Sequence, residues 1–270
     1  MSIFFCIVTL ASGQFLRLSP GVLSQGLGGA SVVINEGLSI FHNPAYTRDT
    51  EFNFTLSRWL YSTNYLTVGA AYANYILGIT YMNYGRIQGY DELGNPTAAF
   101  TPYDVCAGIG RKIGPIGLAV KVFNERIGDE TLYGVCASAG LFMDNERLAF
   151  GLKVDNMGKE LSQNASIPMF MACGLRYRLI EDLDVLAEAK LPALEANTGF
   201  IYTYHDLKVF MGAKYIPPAD LVSNADISPR KEDLHLTAGV LVRIDGYDIG
   251  YSIVYGPLSA AHQFSVAISP

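Results

Sequence analysis

The residues best placed for chemistry are charged ones set among apolar neighbours. Lys121, Lys153, Asp155, Arg176, Arg178, Asp184, Glu188, Lys190, Lys208, Lys214, Arg243 and Asp248 each stand one position from Val, Leu, Ala or Ile. Both signs are interspersed, so they fit either a mutually neutralising network inside the protein or a charged path for a solute. Nucleophilic catalysis lacks its parts, because there is no Gly-x-Ser-x-Gly elbow and His42, His205, His235 and His262 are scattered. His205 and Asp206 are adjacent, and neighbouring side chains of a tight turn point apart, which reads as turn chemistry and not an acid–base pair. No His or Cys pair has metal-ligand spacing, so the reading assigns no catalytic residue, no metal and no cofactor. Cys106 and Cys136 share the phase of the charged residues and Cys173 that of the apolar ones, as packing residues would.

The elements that must position these charges are strands. From Leu234 to Ile244 the residues Leu234, Leu236, Ala238, Val240, Val242 and Ile244 alternate with His235, Thr237, Gly239, Leu241 and Arg243. After the Asp245-Gly246 turn, Tyr247, Ile249, Tyr251, Ile253 and Tyr255 oppose Asp248, Gly250, Ser252 and Val254. Period two means one face per set, and Asp-Gly between two such runs is a hairpin signal. The apolar face ends in tyrosines while the other carries Gly, Ser, Asp and Arg, the inverse of a dry core. A membrane-spanning barrel needs that arrangement, with an oily outside, aromatic rims and a polar inside.

The same alternation runs from Glu51 onward, as in Phe52, Phe54 and Leu56, in Ile116, Leu118, Val120 and Val122, or in Phe200, Tyr202 and Tyr204. It predicts an all-β, antiparallel transmembrane barrel of about 14 strands. Arg or Lys facing lipid near mid-membrane would cost roughly 2–4 kcal/mol each, which assigns the charges to the lumen. Connection lengths are expected to alternate. Ala73-Asn74, Lys112 to Pro115, Asp144 to Arg147, Leu179 to Asp182, His205-Asp206 and Ile244 to Gly246 read as tight turns. Gly85 to Pro102, Ile127 to Thr131, Asn156 to Pro168, Pro192 to Asn197, Pro217 to Asp233 and Gly256 to Ala261 read as longer ones.

Composition agrees. Of 270 residues 50% are apolar and only 16% charged, with 27 Gly, 17 Tyr and 14 Phe, and a net charge of −6 argues against a nucleic-acid partner. An apolar run from Ser2 to Leu10 followed by Ala11-Ser12-Gly13 has the small-residue pattern of a signal-peptidase site, with cleavage expected near Gly13. Between Arg17 and Ala45 the pattern is not strand-like. Gly26-Leu27-Gly28 lacks the further glycine of a dinucleotide loop, Ser31 standing there, and the stretch reads as a compact irregular piece before the sheet. The expected division is a signal peptide at 1–13, an N-terminal segment at 14–50 and a barrel at 51–270.

Gly28-Gly29-Ala30 combined with Asn43-Pro44-Ala45, just after such a start, resembles the outer-membrane superfamily that includes the long-chain fatty-acid transporters (FadL) and the PorV/PorQ proteins. The run from Gly151 to Gly158, then Ile167-Pro168 and Gly174-Leu175-Arg176-Tyr177, is similar to the strand, Asn-Leu-Gly, Pro and Gly-x-x-Tyr series of PorV-like proteins, with Met157 where Leu is usual. The resemblance implies that Gly28, Gly29, Ala30, Asn43, Pro44 and Ala45 belong to a hatch in the lumen, either a static plug or a moving gate. It implies binding or passage of hydrophobic small molecules such as fatty acids, a bacterial outer-membrane location with both termini periplasmic, and assembly by the barrel assembly machinery into outer-membrane lipid. The other function it implies is a PorV-like secretion accessory, binding exported proteins through Gly85 to Pro102 and Pro217 to Asp233.

Overall fold

A chain that alternates apolar and polar residues needs two different surroundings, one for each face of the strand. The computed structural model describes residues 13–47, 50–59, 62–91, 93–192, 194–217, 233–256 and 260–268, and meets that need with a closed barrel of fourteen antiparallel strands. They are β1 (Thr50–Arg58), β2 (Asn64–Tyr72), β3 (Tyr75–Asn83), β4 (Tyr103–Ile113), β5 (Ile116–Ile127), β6 (Glu130–Asp144) and β7 (Leu148–Glu160). The rest are β8 (Phe170–Ile180), β9 (Leu183–Leu191), β10 (Glu195–Tyr204), β11 (Leu207–Ile216), β12 (Asp233–Ile244), β13 (Tyr247–Tyr255) and β14 (Ala260–Ile268). Each pairs with its sequence neighbours, and β1 closes on β14 with Phe52 opposite Ile268 and Arg58 opposite His262. Closure leaves no edge strand to aggregate.

The outward face is oily as the alternation requires. Leu118, Val120, Val122, Phe200 and Met211 are exposed along it. Tyr72, Tyr75, Tyr204 and Tyr247 ring the end with the tight turns, and Tyr81, Tyr133 and Tyr255 stand near the other end. An apolar band between aromatic girdles matches the cross-section of a bilayer. At the tight-turn rim, Ala73-Asn74 (φ 47° and 71°) and Asp245-Gly246 (φ 49° and 85°) have both central residues in the left-handed region, as two-residue hairpins need.

The opposite rim departs from the expected run of long connections. Ile127 to Thr131 is a tight hairpin, with only Gly128 and Asp129 between β5 and β6, because Gly128 (φ 63°) takes the left-handed position. Residues 192–194 suffice between β9 and β10. The predicted connection from Asn156 is strand as far as Glu160, because a β-bulge at Asn156 (φ 58°) absorbs one residue while pairing with β6 continues. Strict short–long alternation therefore does not hold, although residues 84–102 and 161–169 do form long connections at this rim. Most of the predicted connections from Pro217 to Asp233 and from Gly256 to Ala261 lies outside the described residues, as does most of the predicted signal peptide.

The first and last described residues lie toward opposite rims. Gly13 donates its N–H to Glu125 at 2.5 Å, near the long-connection end of β5, whereas Ile268 lies at the tight-turn rim beside Phe52 and Tyr247. The chain from Gly13 to Thr47 therefore runs the length of the lumen before β1 begins.

Candidate functional site

The lumen is where that segment meets the wall, and glycine makes the meeting possible. A side chain in place of the inward glycine would collide with it on most of the strands that carry one. A Cβ on Gly117 of β5 would lie 2.0 Å from the Pro44 carbonyl carbon, and one on Gly212 of β11 would lie 2.5 Å from that of Leu27. On Gly69 of β2 it would meet Gly37, on Gly78 of β3 Ile40, and on Gly151 of β7 Val32. Inward glycines pair across strands, as in Gly69 with Gly78, Gly78 with Gly108, Gly117 with Gly140, and Gly199 with Gly212. The result is a groove of bare backbone that seats the segment directly on the sheet.

Each sequence motif of the segment has a local cause. A short helix, α1 (Val22–Gly26), ends where Gly28 (φ 73°) and Gly29 (φ 86°) turn the chain left-handed, with the Gly29 N–H donating to the Ser24 carbonyl at 2.8 Å. Gly28 also presses on the β11 backbone, where a Cβ would sit 2.4 Å from the Ala213 carbonyl oxygen. Thr237 clasps the same turn, its hydroxyl donating to the Gly26 carbonyl at 2.8 Å and accepting from the Gly28 N–H at 2.9 Å. Ala30 is fully buried. Asn43 closes a turn by accepting from the Ala45 N–H at 3.0 Å, and its amide donates to the Val32 carbonyl within the segment and the Leu141 carbonyl of β6, at 3.0 and 3.1 Å. Pro44 and Ala45 then lie on Gly117.

The predicted lumen charges divide into two groups. The first is buried and grips the segment. Lys121 donates to Asp155 at 2.5 Å and to Asn156 at 2.9 Å, Lys153 stands 3.4 Å from Asp155 and donates to the Phe41 carbonyl at 3.2 Å, and Ser138 also binds Asp155. Glu188 accepts from the Ser31 and Val32 N–H groups, both at 2.7 Å. Lys190 donates to the Gly29 carbonyl at 2.9 Å and lies 3.0 Å from Glu195, which also holds Lys214 at 3.1 Å. Each charge of this group has an opposite partner, Glu188 pairing with Lys190 at 3.6 Å, which is the condition for keeping it out of water. The second group, Arg176, Arg178, Lys208 and Arg243, stands near the tight-turn rim. Arg176 and Arg178 share Asp184 at 4.0 and 3.4 Å, Arg243 makes a two-point contact with Asp248 at 2.7 Å, and Lys208 is in register with Leu241. Of the two readings of the charges, the buried group fits the neutralising network.

The lumen is less polar than its charges imply. Phe142, Ala149, Leu186, Ile201, Phe210 and Leu241 point inward and bury themselves against Val22, Leu23, Leu27, Val33 and Ile34 of the segment. A second cluster joins Phe15 to Tyr65, Met82, Cys106, Phe123, Cys136 and Ile167. Cys106 and Cys136 are thus packing residues, and Cys173 faces outward. Alternation alone hides these positions, because an apolar residue in the polar phase looks like noise until a partner fills the lumen. The run of inward glycines was a visible signal that something would.

Inside the segment, Glu36 accepts from the Leu23 and Ser24 N–H groups at 2.8 and 3.1 Å and faces His42 at 3.6 Å. Burial pushes its carboxyl up to about 7, and burial together with Lys153 holds the His42 imidazole down to about 3.

Between the segment and the wall, at the long-connection end, lies a cavity of about 450 Å³. Leu18, Trp59, Val254 and Ala261 give it apolar surface, Arg17, Lys190, Lys214, His235 and His262 supply bases, and no carboxylate is among its described lining residues, although Glu195 pairs with Lys190 and Lys214 and Asp233 with His235 just behind them. Its size suits a small organic molecule, and its walls suit one with an apolar body.

No family model matches the chain, and no curated protein matches it by sequence. Solved structures do. The toluene transporter TodX of Pseudomonas putida is 14% identical, with a TM-score of 0.60 over 92% of this chain and 96% of its own. The CymD monoaromatic hydrocarbon channel is 12% identical (TM-score 0.58, 93% and 97%), and a FadL homologue of Pseudomonas aeruginosa is 10% identical (TM-score 0.54, 92% and 97%). At these identities the likeness is one of fold, and it extends over nearly the whole chain.

Proposed function

We propose that this protein resides in the bacterial outer membrane and binds and passes hydrophobic small molecules such as fatty acids. The segment at residues 14–50 then serves as a hatch, and the tight-turn rim faces the periplasm. The observation that carries this reading is the cavity beside Trp59, which lies between the segment and the wall of a barrel with the fold of hydrocarbon transporters. An apolar tail would lie against Leu18, Trp59 and Val254, and a carboxylate would lie toward Arg17, Lys214 and His235. The charge network favours this over an ion path, since its members neutralise one another.

The test is saturable binding of a labelled long-chain fatty acid to the full chain in lipid vesicles, followed by its release into the vesicle interior. Trp59→Ala is expected to weaken binding about ten-fold, in line with loss of a large aromatic contact. Binding by the folded barrel that is absent, or unaffected by Trp59→Ala, would overturn the assignment of the cavity. The surface-attachment reading rests on the outer connections, and most of the one between β11 and β12 lies outside the described residues.

A further inference from the structure

The segment is fastened by two kinds of contact. Up to Asn43 it is gripped by charged and amide groups of the wall, namely Lys190 at Gly29, Glu188 at Ser31 and Val32, Lys153 at Phe41, and Asn43 itself at Leu141. Charge-assisted bonds of this kind are strong and directional. Past Asn43 the contact changes to a stack. The Tyr46 ring lies on Phe142 of β6, with centroids 3.7 Å apart and planes 8° apart, and the Arg176 guanidinium of β8 is 5.8 Å from its centroid. Phe142 and Arg176 stand toward the tight-turn ends of their strands, and Tyr46 precedes the start of β1 at the same rim.

Tyr46 is also the partly exposed member of a cluster whose other members, from Val22 to Leu241, are buried. That cluster fills the tight-turn half of the lumen with apolar side chains. Its exposed edge is held by dispersion and a ring–cation contact, which one side-chain rotation can break. Unseating the residues from Gly26 to Asn43 would instead strip several buried charges of their partners.

We propose that Tyr46 is the latch of the lumen, and that rotation of its ring away from Phe142 and Arg176 opens the seal at the tight-turn end while the rest of the segment stays clamped. For solute movement this rests on the passage reading above. Conductance of the full chain in planar bilayers tests the latch without reference to any solute. Tyr46→Ala is expected to open the lumen to small ions roughly three- to ten-fold more often than the natural chain, the factor that one aromatic pair is worth. Tyr46→Phe keeps the stack and should behave as the natural chain does, and Arg176→Gln should give a smaller increase.

A folded Tyr46→Ala barrel that stays as closed as the natural chain overturns the latch. Where that variant does not assemble, Tyr46→Leu, which keeps bulk without stacking, is read in its place. Failure of both to assemble makes Tyr46 a folding residue and also overturns the latch. Opening by Tyr46→Ala in a protein that binds no fatty acid would leave the latch standing and remove the passage reading.

Discussion

The barrel wall and the segment it encloses are built on different principles. In the wall each residue's surroundings follow from its parity along the strand, so that Val120 faces out, Lys121 faces in and Val122 faces out again. In the segment no such rule operates. Its neighbours are decided by what the wall leaves open, whether the bare backbone at Gly117 and Gly212 or the charges at Glu188 and Lys190. A regular element carries its own instructions, whereas an irregular one takes its shape from the mould.

The largest expected effect breaks the wall without touching the segment. Val120 sits mid-strand on the outer face, opposite Ile109 and Ala137. Val120→Arg should cost about 2–4 kcal/mol of barrel stability in a bilayer, because a guanidinium at that depth must leave water. The folded fraction recovered from membranes, read by heat-modifiable migration on gels, measures this. Normal recovery would remove the assignment of the outer face to lipid. Replacing Thr237 or Ser252 on the inner face is no neutral control, since both are buried and Thr237 is bonded to Gly26 and Gly28 of the segment.

The next effect falls on the segment and spares the wall. Valine suits a strand well, so Gly117→Val should leave the hairpin of β4 and β5 intact. Its side chain would occupy the place of the Pro44 carbonyl, and overpacking of this kind costs about 1–3 kcal/mol. The expected result is a barrel that still migrates as folded while the segment becomes open to protease between residues 14 and 47. Protection equal to that of the natural chain would mean that the glycine groove does not seat it.

Those two variants also mark what the sequence made legible. Strand number, the outward face, and the inward position of Lys121, Lys153, Asp155 and Glu188 were readable because period two is a local property. Two connections expected to be long, Ile127 to Thr131 and Pro192 to Asn197, are tight, and the one from Asn156 begins only after Glu160, because features such as Gly128 in a left-handed turn and a bulge at Asn156 change connection length by one residue's conformation. Glu36, Tyr46 and Phe142 were not readable at all. Their roles arise from contacts between residues far apart in the chain, such as Tyr46 on Phe142, and alternation carries no record of those. The motif around Asn43 is visible as a motif, but its work of tying the Val32 carbonyl to the Leu141 carbonyl depends on a strand about a hundred residues away, of which the local spacing holds no trace.

The smallest effect is a pH dependence confined to the segment. Glu36 joins the start of α1 to the middle of the segment through the Leu23 and Ser24 N–H groups. Its own carbonyl accepts from the Asn53 amide of β1 at 2.5 Å. The groups facing it are His42, neutral over the working range, and Glu51, whose like charge adds to the effect of burial. Since burial raises the carboxyl from its ordinary 4.5 to about 7, the seated segment holds a proton that the unseated one gives up. Stability from this source is complete below about 4.5 and is lost as pH rises through about 7, by roughly 1–3 kcal/mol. Trp59, the one tryptophan in the chain, stands in the cavity beside Leu18 and reports the seat through its emission. In urea titrations the first Trp59 transition should move to lower urea between pH 5 and pH 8, and Glu36→Gln, which keeps an acceptor without a charge, should hold it constant. A transition that moves equally in both proteins would assign the pH response to the wall instead.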